Sequence, residues 1–311
     1  EEICVPIIEK ESGYKYATKD NLKKFVYGYS PERINPGDKN KTLMDIVKVT
    51  SGSDPDTADW IDNMYASIIK KGTYKAKSVK IAEAAKVIEN TQRDINIALI
   101  NEVTLICKKM NIDIYDVLKM ANTKWNFLNF TPGLVGGHCI GVDPYYLAYK
   151  SKQIGHNPKV IMAGREINDK MPSVFTQDII NNLRKIPKKD EYSVLVFGLA
   201  FKKNCTDTRN SKIFEVIKSL QKKNINIDYY DDILVDEEIK KLNKSIKKVI
   251  SLASLKKKYN VIIMNSSHDH FKKINNKIFT KITYKNSLIY DLGNFFSAEQ
   301  KKIIKRKFLL I

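Results

Sequence analysis

A lone cysteine lies in a glycine-rich stretch, GLVGGHCIGVDPYY, at residues 133–146. Glycine lets the backbone bend sharply and approach a ligand closely, and four glycines surround this cysteine. Free cysteines are most often small buried hydrophobic residues, but the glycine-rich setting makes Cys139 a stronger candidate for a catalytic thiol than an average cysteine. The nearby Asp143 can orient a water molecule close to the sulfur.

Two other interpretations of this stretch stay open on the residues alone. His138 is next to Cys139, but neighbours in sequence need not face each other, so a Cys/His hydrolase pair needs a geometry that spacing does not supply. A metal site formed by His138, Cys139 and Asp143 matches no familiar zinc spacing, and we expect no metal.

A second set of polar residues lies at helical spacing. Glu83, Lys86, Asn90 and Asp94 follow i, i+3 and i+4 steps and share one helix face. A solvated polar stripe is the simpler interpretation of such a face. Apolar residues flank Lys86, however, and an ammonium held there can stabilise an oxyanion or bind a substrate oxygen.

Two further motifs lie in loops. GLAFKKNCTDTRNS, residues 198–211, follows a predicted strand and opens a helix, where Lys202, Lys203 and Arg209 suit a phosphate; a basic surface loop explains them equally well. In YSPERINPGD, residues 29–38, Glu32 is either a general base or a turn residue paired with its neighbour, Arg33.

The apolar spacing predicts the helices that position these residues. Between Gly72 and Pro132 there is neither glycine nor proline, and the pattern predicts one long helix over 78–110. A second helix near 112–122 should pack back on it. We expect the linker after this helical part to lie near 165–192.

The two ends of the chain predict strands. From Ser193, short apolar runs alternate with amphipathic stretches, the signature of βαβ units and a parallel sheet. The first 75 residues predict strands near 22–32 and 45–52 and a helix from about Asp56. Their first residues resemble the end of a helix, as expected if the given sequence began inside a domain.

Composition restricts the class of protein. The 311 residues are 43% hydrophobic, enough for a sizeable core, and no run approaches the roughly 18 apolar residues of a membrane span. The start lacks the pattern of a signal peptide, and the four cysteines are scattered, so we expect a cytoplasmic protein with reduced thiols and no membrane insertion. The net charge of +19 suits an anionic ligand, but the lysines form no nucleic-acid docking motif, so we expect no nucleic-acid partner.

Four motifs occur in a fixed order: YSPERINPGD, AEAAKVIENTQRDINIALINE, TKWNFLNFTPGLVGGHCIGVDPYYL and GLAFKKNCTDTRNSK. Together they resemble the UDP-glucose/GDP-mannose dehydrogenase family. The wording HCIGVDPYYL is most similar to the bacterial UDP-N-acetylglucosamine 6-dehydrogenase branch. The motifs are long and span most of the chain, so a shared fold alone does not explain them.

The resemblance implies a reaction and roles for residues. Such enzymes oxidise the C6 alcohol of a UDP-sugar, here expected to be a UDP-N-acetylhexosamine, to the uronic acid with two NAD in succession, for surface polysaccharide biosynthesis. Cys139 would form a thiohemiacetal and then a thioester. Lys86 and Asp143 would stabilise oxyanions and position water, Asn90 would hold the sugar, and Glu32 would assist thioester hydrolysis.

The resemblance also implies binding residues. The expected substrate contacts are Phe130, Thr131, Pro132, Gly133, Leu134, Val135, Gly136, Phe201 and Lys202, with Lys124 as a basic contact supplied across a dimer. The expected NAD contacts are Cys139, Ile140, Gly141, Val142 and Arg209. Two positions depart from relatives, since Pro36 replaces a glutamate near the cofactor and Asn294 replaces an arginine after the last strand.

The family resemblance predicts an α/β fold with three parts. Residues 1–75 would be the remnant of a Rossmann NAD-binding domain, 76–175 a central helical domain with dimer contacts and the catalytic loop, and 176–311 a Rossmann-like parallel-sheet domain that binds UDP. The family begins with a GxGxxG unit that these residues lack, so we expect about 120 preceding residues.

Two expectations follow for this piece of chain. By itself it should bind UDP-sugar weakly and leave NAD unreduced, while the whole enzyme should be a homodimer or a higher homo-oligomer. The alternative is a truncated, non-catalytic homologue that keeps the dimer contacts and UDP-sugar binding.

Overall fold

The structure is a computed structural model that describes residues 1–16, 24–34, 42–187 and 191–309. The end of the YSPERINPGD motif, Pro36 included, lies outside these residues. The chain divides into two compact units, Glu1–Asn90 and Thr91–Ile311, with the boundary inside the long helix. The sequence places domain boundaries near 75 and 175 instead, and that three-domain division stays a prediction.

The first unit contains short elements. These are α1 (Cys4–Ser12), β1 (Lys15–Tyr16), β2 (Lys24–Phe25), β3 (Lys48–Thr50), α2 (Pro55–Ala66), β4 (Thr73–Lys75) and the start of α3 (Val79–Lys109). Strand β1 pairs with β2 and β3 with β4, both in parallel. The predicted helix near Asp56 is confirmed, and it begins where Asp54 accepts a hydrogen bond from the Thr57 N–H. The helical start of the chain is confirmed as α1.

The long helix and its neighbour form as the sequence predicts. Helix α3 has 31 residues and is followed by α4 (Ile114–Ala121), which Asp113 caps. Ile100 and Cys107 of α3 form one apolar cluster with Ile114 and Leu118 of α4. This cluster confirms that the second helix packs back on the first.

The predicted linker over 165–192 is wrong for residues 165–183. They belong to α6 (Lys159–Leu183), a helix of 25 residues. The carboxyl-terminal half of α6 buries Met171, Phe175 and Ile179 against the core of the parallel sheet. Burial of this apolar stripe, at 3- and 4-residue steps, stabilises a helix where a linker was expected.

The second unit is built on a parallel sheet. After α4 its elements are α5 (Asp143–Gln153), α6, β5 (Ser193–Phe197), α7 (Ile213–Gln221), β6 (Asn226–Tyr230), α8 (Asp236–Leu242), β7 (Lys247–Lys248), β8 (Tyr259–Met264), α9 (Asn276–Lys281), β9 (Thr283–Asp291), α10 (Ala298–Ile304) and β10 (Lys307–Leu309). The strand order is β10-β9-β8-β5-β6-β7, and all neighbours are parallel. The predicted parallel sheet is confirmed, and its order is that of a Rossmann-type fold.

The central strands are buried on both faces. In β5, Val194 and Val196 face one apolar cluster with α6 and α7, whereas Leu195 and Phe197 face another with α9 and α10. Side chains alternate between the faces of a strand, so a strand covered on both sides needs a continuous apolar run such as SVLVF. The order of the strands reverses between β5 and β8, and ligands of such sheets bind at the carboxyl ends of the strands there.

The turn after β5 depends on Gly198. This residue has φ +75°, and a Cβ there would lie 2.5 Å from the Ser266 carbonyl oxygen of the turn after β8. Gly155 has φ +80° but open space around it. We therefore expect Gly155→Ala to lower the free energy of unfolding by about 1–2 kcal/mol, the cost of a left-handed alanine.

Gly198→Ala should cost at least twice as much, because the backbone contact with Ser266 must open as well. Urea unfolding of both variants measures the difference. Equal losses of stability would contradict the close approach of these two turns.

Candidate active site

The thiol loop, residues 133–142, is attached to α3 at its first residue. The Gly133 N–H donates to Asn101 Oδ1 at 2.9 Å, and Asn101 Nδ2 donates back to the Gly133 carbonyl at 3.0 Å. Asn101 is fully buried. Because one side chain satisfies both backbone groups of Gly133, the start of the loop has a fixed position on the helix.

A buried polar network continues from Asn101 into α6. Asn101 donates to Asn168 at 2.9 Å, Asn168 donates to Asp94 at 2.8 Å, and Arg165 donates to the same Asp94 oxygen at 2.7 Å. These four side chains are almost completely excluded from solvent. Burial raises the pKa of Asp94, and the Arg165 charge and the Asn168 hydrogen bond oppose that rise.

The network corrects one interpretation of the polar face of α3. Asp94, with 0% of its surface exposed, is an internal ion-pair partner and no part of a solvated stripe. The spacing within α3 does not identify its partner. The partner, Arg165, lies in the sequence GREIND, on the apolar side of α6. A charged residue on the apolar side of a helix indicates a buried, paired charge, and this pattern is the sequence signal for Arg165.

The Cys139 turn leads directly into α5. The Cys139 carbonyl accepts from the N–H groups of Val142 and Asp143, at 3.0 and 2.8 Å, and Asp143 is the first residue of the helix. Cys139 is a free, half-buried thiol. The amino-terminal end of a helix carries partial positive charge, which stabilises negative charge that develops beside this turn.

Two loop glycines pack against another segment of the chain. A Cβ on Gly136 would lie 2.7 Å from the Asn210 carbonyl oxygen, and one on Gly137 would lie 2.9 Å from the Phe201 ring. Gly137 also has φ +84°. The sequence analysis predicts that the glycines of the thiol loop let the backbone approach a ligand. In the structure, Gly136 and Gly137 instead permit close contact with the loop after β5.

The loop after β5 supplies charged groups beside the thiol loop. Arg209 donates to both carboxylate oxygens of Asp207, at 2.7–3.1 Å, and His138 Nδ1 lies 3.6 Å from Asp207. The Arg209 hydrogen bonds lower the pKa of Asp207 against the opposing effect of burial. His138 thus faces a carboxylate of the loop after β5. This contact does not support the alternative in which His138 and Cys139 form a hydrolase pair.

A pocket of about 530 Å³ lies between the thiol loop, α5, α6 and the segment before α7. The predicted ligand contacts Val135, Gly136, Gly141, Val142 and Arg209 line it. Charged or hydroxyl residues that the sequence analysis did not single out also line it, among them Tyr145, Arg165, Asp169 and Lys212. Arg165 and Tyr145 both bond Asp169, and the guanidinium lies 5.3 Å from the Tyr145 ring centre.

The other predicted substrate contacts of this unit differ in exposure. Phe130, Leu134, Phe201 and Lys202 are half-buried, and the Lys202 ammonium lies 5.8 Å from the Phe201 ring centre. Pro132 is buried, and Lys124 and Thr131 are exposed. Phe130 packs against the α3–α4 cluster and Leu134 against the sheet core.

Three predicted catalytic residues lie in the first unit. Glu32 is exposed and accepts a hydrogen bond from the Ile34 N–H at 2.6 Å, while Lys86 and Asn90 are half-buried on α3. Arg33 pairs with Glu89 of α3 at 2.6 Å, which differs from the predicted pairing with Glu32. The roles of these three residues stay predictions.

The expected NAD contacts near the thiol include Gly141 and Arg209, and this assignment stays a prediction. A Cβ on Gly141 would be in ordinary van der Waals contact with the Val135 and Gly137 carbonyl oxygens, at 3.8 and 3.9 Å. The exposed Arg209 guanidinium suits a phosphate. A GxGxxG motif for the rest of the cofactor does not occur in the 311 residues.

Two family models match the chain. They describe the UDP-glucose/GDP-mannose dehydrogenase family, central domain, at residues 80–170, and the UDP binding domain of the same family, at residues 195–298. The chain is 45% identical over 305 residues to UDP-N-acetyl-D-glucosamine 6-dehydrogenase of Salmonella typhi and 46% identical to the enzyme of that name from Pseudomonas aeruginosa. Each match covers 97% of this chain and 70% of the relative.

Solved structures resemble the chain in fold. UDP-N-acetyl-mannosamine dehydrogenase Cap5O from Staphylococcus aureus superposes with a TM-score of 0.77 at 27% identity, over 100% of this chain and 68% of that one. The comparison agrees with the Rossmann-like order of the parallel sheet.

The buried network generates a stability prediction. Asp94→Asn keeps the side-chain shape but removes the charge that faces buried Arg165, so we expect the free energy of unfolding to fall by about 3 kcal/mol. Glu166→Gln is the matched control on α6, since Glu166 pairs with Lys170 at the solvent-exposed surface and its loss should change stability little. Chemical denaturation compares the two, and similar small losses would show that the ion pair is dispensable.

Proposed function

Since the chain belongs to the UDP-glucose/GDP-mannose dehydrogenase family, whose UDP-sugar dehydrogenases are NAD-dependent, we propose that it carries out the C6 oxidation of a UDP-N-acetylhexosamine. The chain contributes the thiol loop and the UDP-binding unit. The observation that carries the proposal is the packing of the Cys139 loop, through Gly136 and Gly137, on the loop that contains Phe201 and Arg209. A nucleotide held by one loop then presents its sugar to the thiol of the other.

The choice of an N-acetylhexosamine rests on the relatives. Two relatives, 45% and 46% identical over 97% of this chain, are named for UDP-N-acetyl-D-glucosamine. Their names support the same substrate class here. The product is a nucleotide-linked uronic acid, and we propose that it supplies surface polysaccharide biosynthesis.

Cys139 acts on the aldehyde stage of this reaction. Its sulfur adds to C6 and forms a thiohemiacetal; loss of hydride then gives a thioester, and water cleaves the thioester to release the carboxylate and the thiol. NAD, when bound, accepts the two hydrides that leave C6. The α5 amino terminus stabilises negative charge at this turn, and Asp143 positions the attacking water.

The roles of the remaining catalytic candidates follow from the family resemblance. Lys86 stabilises oxyanions, Asn90 holds the sugar, and Glu32 assists hydrolysis. The thiol must stay reduced for this chemistry, which favours a reducing compartment and therefore a cytoplasmic location. None of the helices in the described ranges is long and apolar enough to cross a bilayer.

An apolar stripe on α3 supports a homodimer. Leu99 and Ile106, both in the second unit, are 53% and 51% exposed and lie seven residues apart, which places them on one side of the helix. A second copy of the chain that covers this stripe removes it from water.

The thiol loop generates a labelling prediction. Iodoacetamide should modify half-buried Cys139 and exposed Cys4, whereas buried Cys107 and Cys205 react slowly. Saturating UDP-N-acetylglucosamine should slow labelling of Cys139 at least about fivefold, because the sugar covers the sulfur, and peptide mass spectrometry measures each site. Cys4 is the internal control and keeps its rate.

UDP without the sugar should protect Cys139 less than the UDP-sugar does. Calorimetry first establishes that each ligand is bound at the concentration used. An unchanged Cys139 rate with bound UDP-sugar would separate the thiol from the sugar site and overturn its proposed role.

The stripe on α3 generates a second prediction. Leu99→Glu with Ile106→Glu should convert the dimer to a monomer in sedimentation velocity, because charged side chains are costly in a buried apolar interface. Arg93→Glu, about 120° away around the helix, is the control and should leave the dimer intact. A doubly substituted chain that stays dimeric would exclude this face as the interface.

A further inference from the structure

Two loops meet at the carboxyl ends of the central strands β5 and β8. The switch loop, residues 198–204, follows β5 and contains Phe201 and Lys202. The β8 loop, residues 265–269, follows β8. The order of the sheet reverses between these strands, so the two loops lie where parallel sheets bind nucleotides.

Hydrogen bonds hold the first half of the switch loop. The Leu199 N–H donates to Asp231 Oδ2 at 3.0 Å. Asn265 Nδ2 donates to the carbonyls of Gly198 and Ala200, at 3.0 and 3.3 Å, and the Ser266 hydroxyl also donates to Ala200. The backbone that precedes Phe201 therefore has a fixed course.

The second half of the switch loop is held at Asn204. Its N–H donates to Nδ1 of His268 at 2.8 Å, and the residue has φ +55°, in the left-handed region. Its side chain and Asp269 exchange two further hydrogen bonds, at 2.6 and 3.0 Å. Hydrogen bonds from Lys203 and Asn204 lower the pKa of Asp269 to about 2.

His268 connects both halves. Because Nδ1 accepts a hydrogen bond, the network assigns the ring proton to Nε2, which lies 3.4 Å from Asp231 Oδ2. Both side chains have 0% of their surface exposed. The imidazole also stacks on His270 and contacts the edge of Phe271. His268 thus accepts the Asn204 hydrogen bond at Nδ1 and places Nε2 beside the carboxylate that binds Leu199, where Nε2 has no hydrogen-bond partner among the described residues.

We propose that His268 is a positioning residue for nucleotide binding, because its Nδ1 atom fixes the switch loop that presents Phe201 and Lys202. The proposal rests on the proposed function, in which these two side chains contact the UDP-sugar. His268 is buried below the loop and acts through Asn204, so it contacts no ligand itself.

Two substitutions separate the hydrogen bond from the packing of the ring. In His268→Asn, the amide oxygen takes the place of Nδ1 and still accepts from the Asn204 N–H. In His268→Gln, the amide reaches the place of Nε2 near Asp231 and leaves Asn204 without its acceptor. Both variants lose the contacts with His270 and Phe271, so their thermal unfolding midpoints should fall by similar amounts.

Two measurements on the 311-residue chain test the proposal. Calorimetry should give a UDP dissociation constant about tenfold higher in His268→Gln and within about threefold of wild type in His268→Asn, as expected for one lost hydrogen bond. Amide hydrogen exchange should be faster at Asn204 in His268→Gln alone.

Equal UDP affinities and equal Asn204 exchange in the two variants would overturn the proposal. If His268 had a purely structural role, the two substitutions would affect UDP binding and exchange to the same extent. Faster exchange in His268→Gln with unchanged UDP affinity would overturn the role in nucleotide binding. A wild-type chain that binds no UDP would overturn the proposed function instead, and the exchange comparison would still decide whether His268 fixes the loop.

Discussion

The buried ion pair between Asp94 and Arg165 is the constraint on which the site of the second unit depends. Hydrogen bonds from neighbouring side chains help to stabilise a charged pair without solvent, and Asn168 and Asn101 extend this pair into a network. Asp94 Oδ2 and Arg165 Nε have no hydrogen-bond partner among the described residues. The network bonds α3 to α6 and fixes Gly133 at the start of the thiol loop. Since the other half of α6 packs on the parallel sheet, one helix sets the thiol loop relative to the nucleotide-binding edge.

The second requirement is close backbone contact between the thiol loop and the loop after β5, which are far apart in the sequence. Gly136 and Gly137 let the thiol loop approach the segment after β5 more closely than any side chain would permit. That segment is itself fixed by Asp231, Asn265 and His268 at the sheet edge. The thiol loop and the loop with the proposed nucleotide contacts therefore pack directly on each other, and catalysis by a held thiol needs such preorganisation.

Local patterns predict the regular elements well and the tertiary contacts poorly. Helix α3 and the strands of the sheet follow from apolar spacing, and residues 133–142 stand out by composition. Spacing within one segment says nothing about a partner 71 residues away, so the Asp94–Arg165 pair was missed and Asp94 was open to interpretation as a surface residue. The linker expected near 165–192 is instead helical over 165–183 for the same reason, because the apolar face of α6 is explained only by the sheet that covers it. Gly137 and Gly198 likewise indicate unusual backbone conformations in the sequence, but only the fold identifies Phe201 and Ser266 as their neighbours.

In the proposed reaction, a UDP-sugar bound at the sheet edge presents C6 to Cys139. A crystal structure of the chain with UDP-N-acetylglucosamine would give the distance from the Cys139 sulfur to C6. We expect a separation of about 3–4 Å, the range of reacting atoms held for attack, with the nucleotide against Phe201 and Lys202. A sugar bound with C6 directed away from the sulfur, or a nucleotide bound elsewhere on the chain, would contradict it.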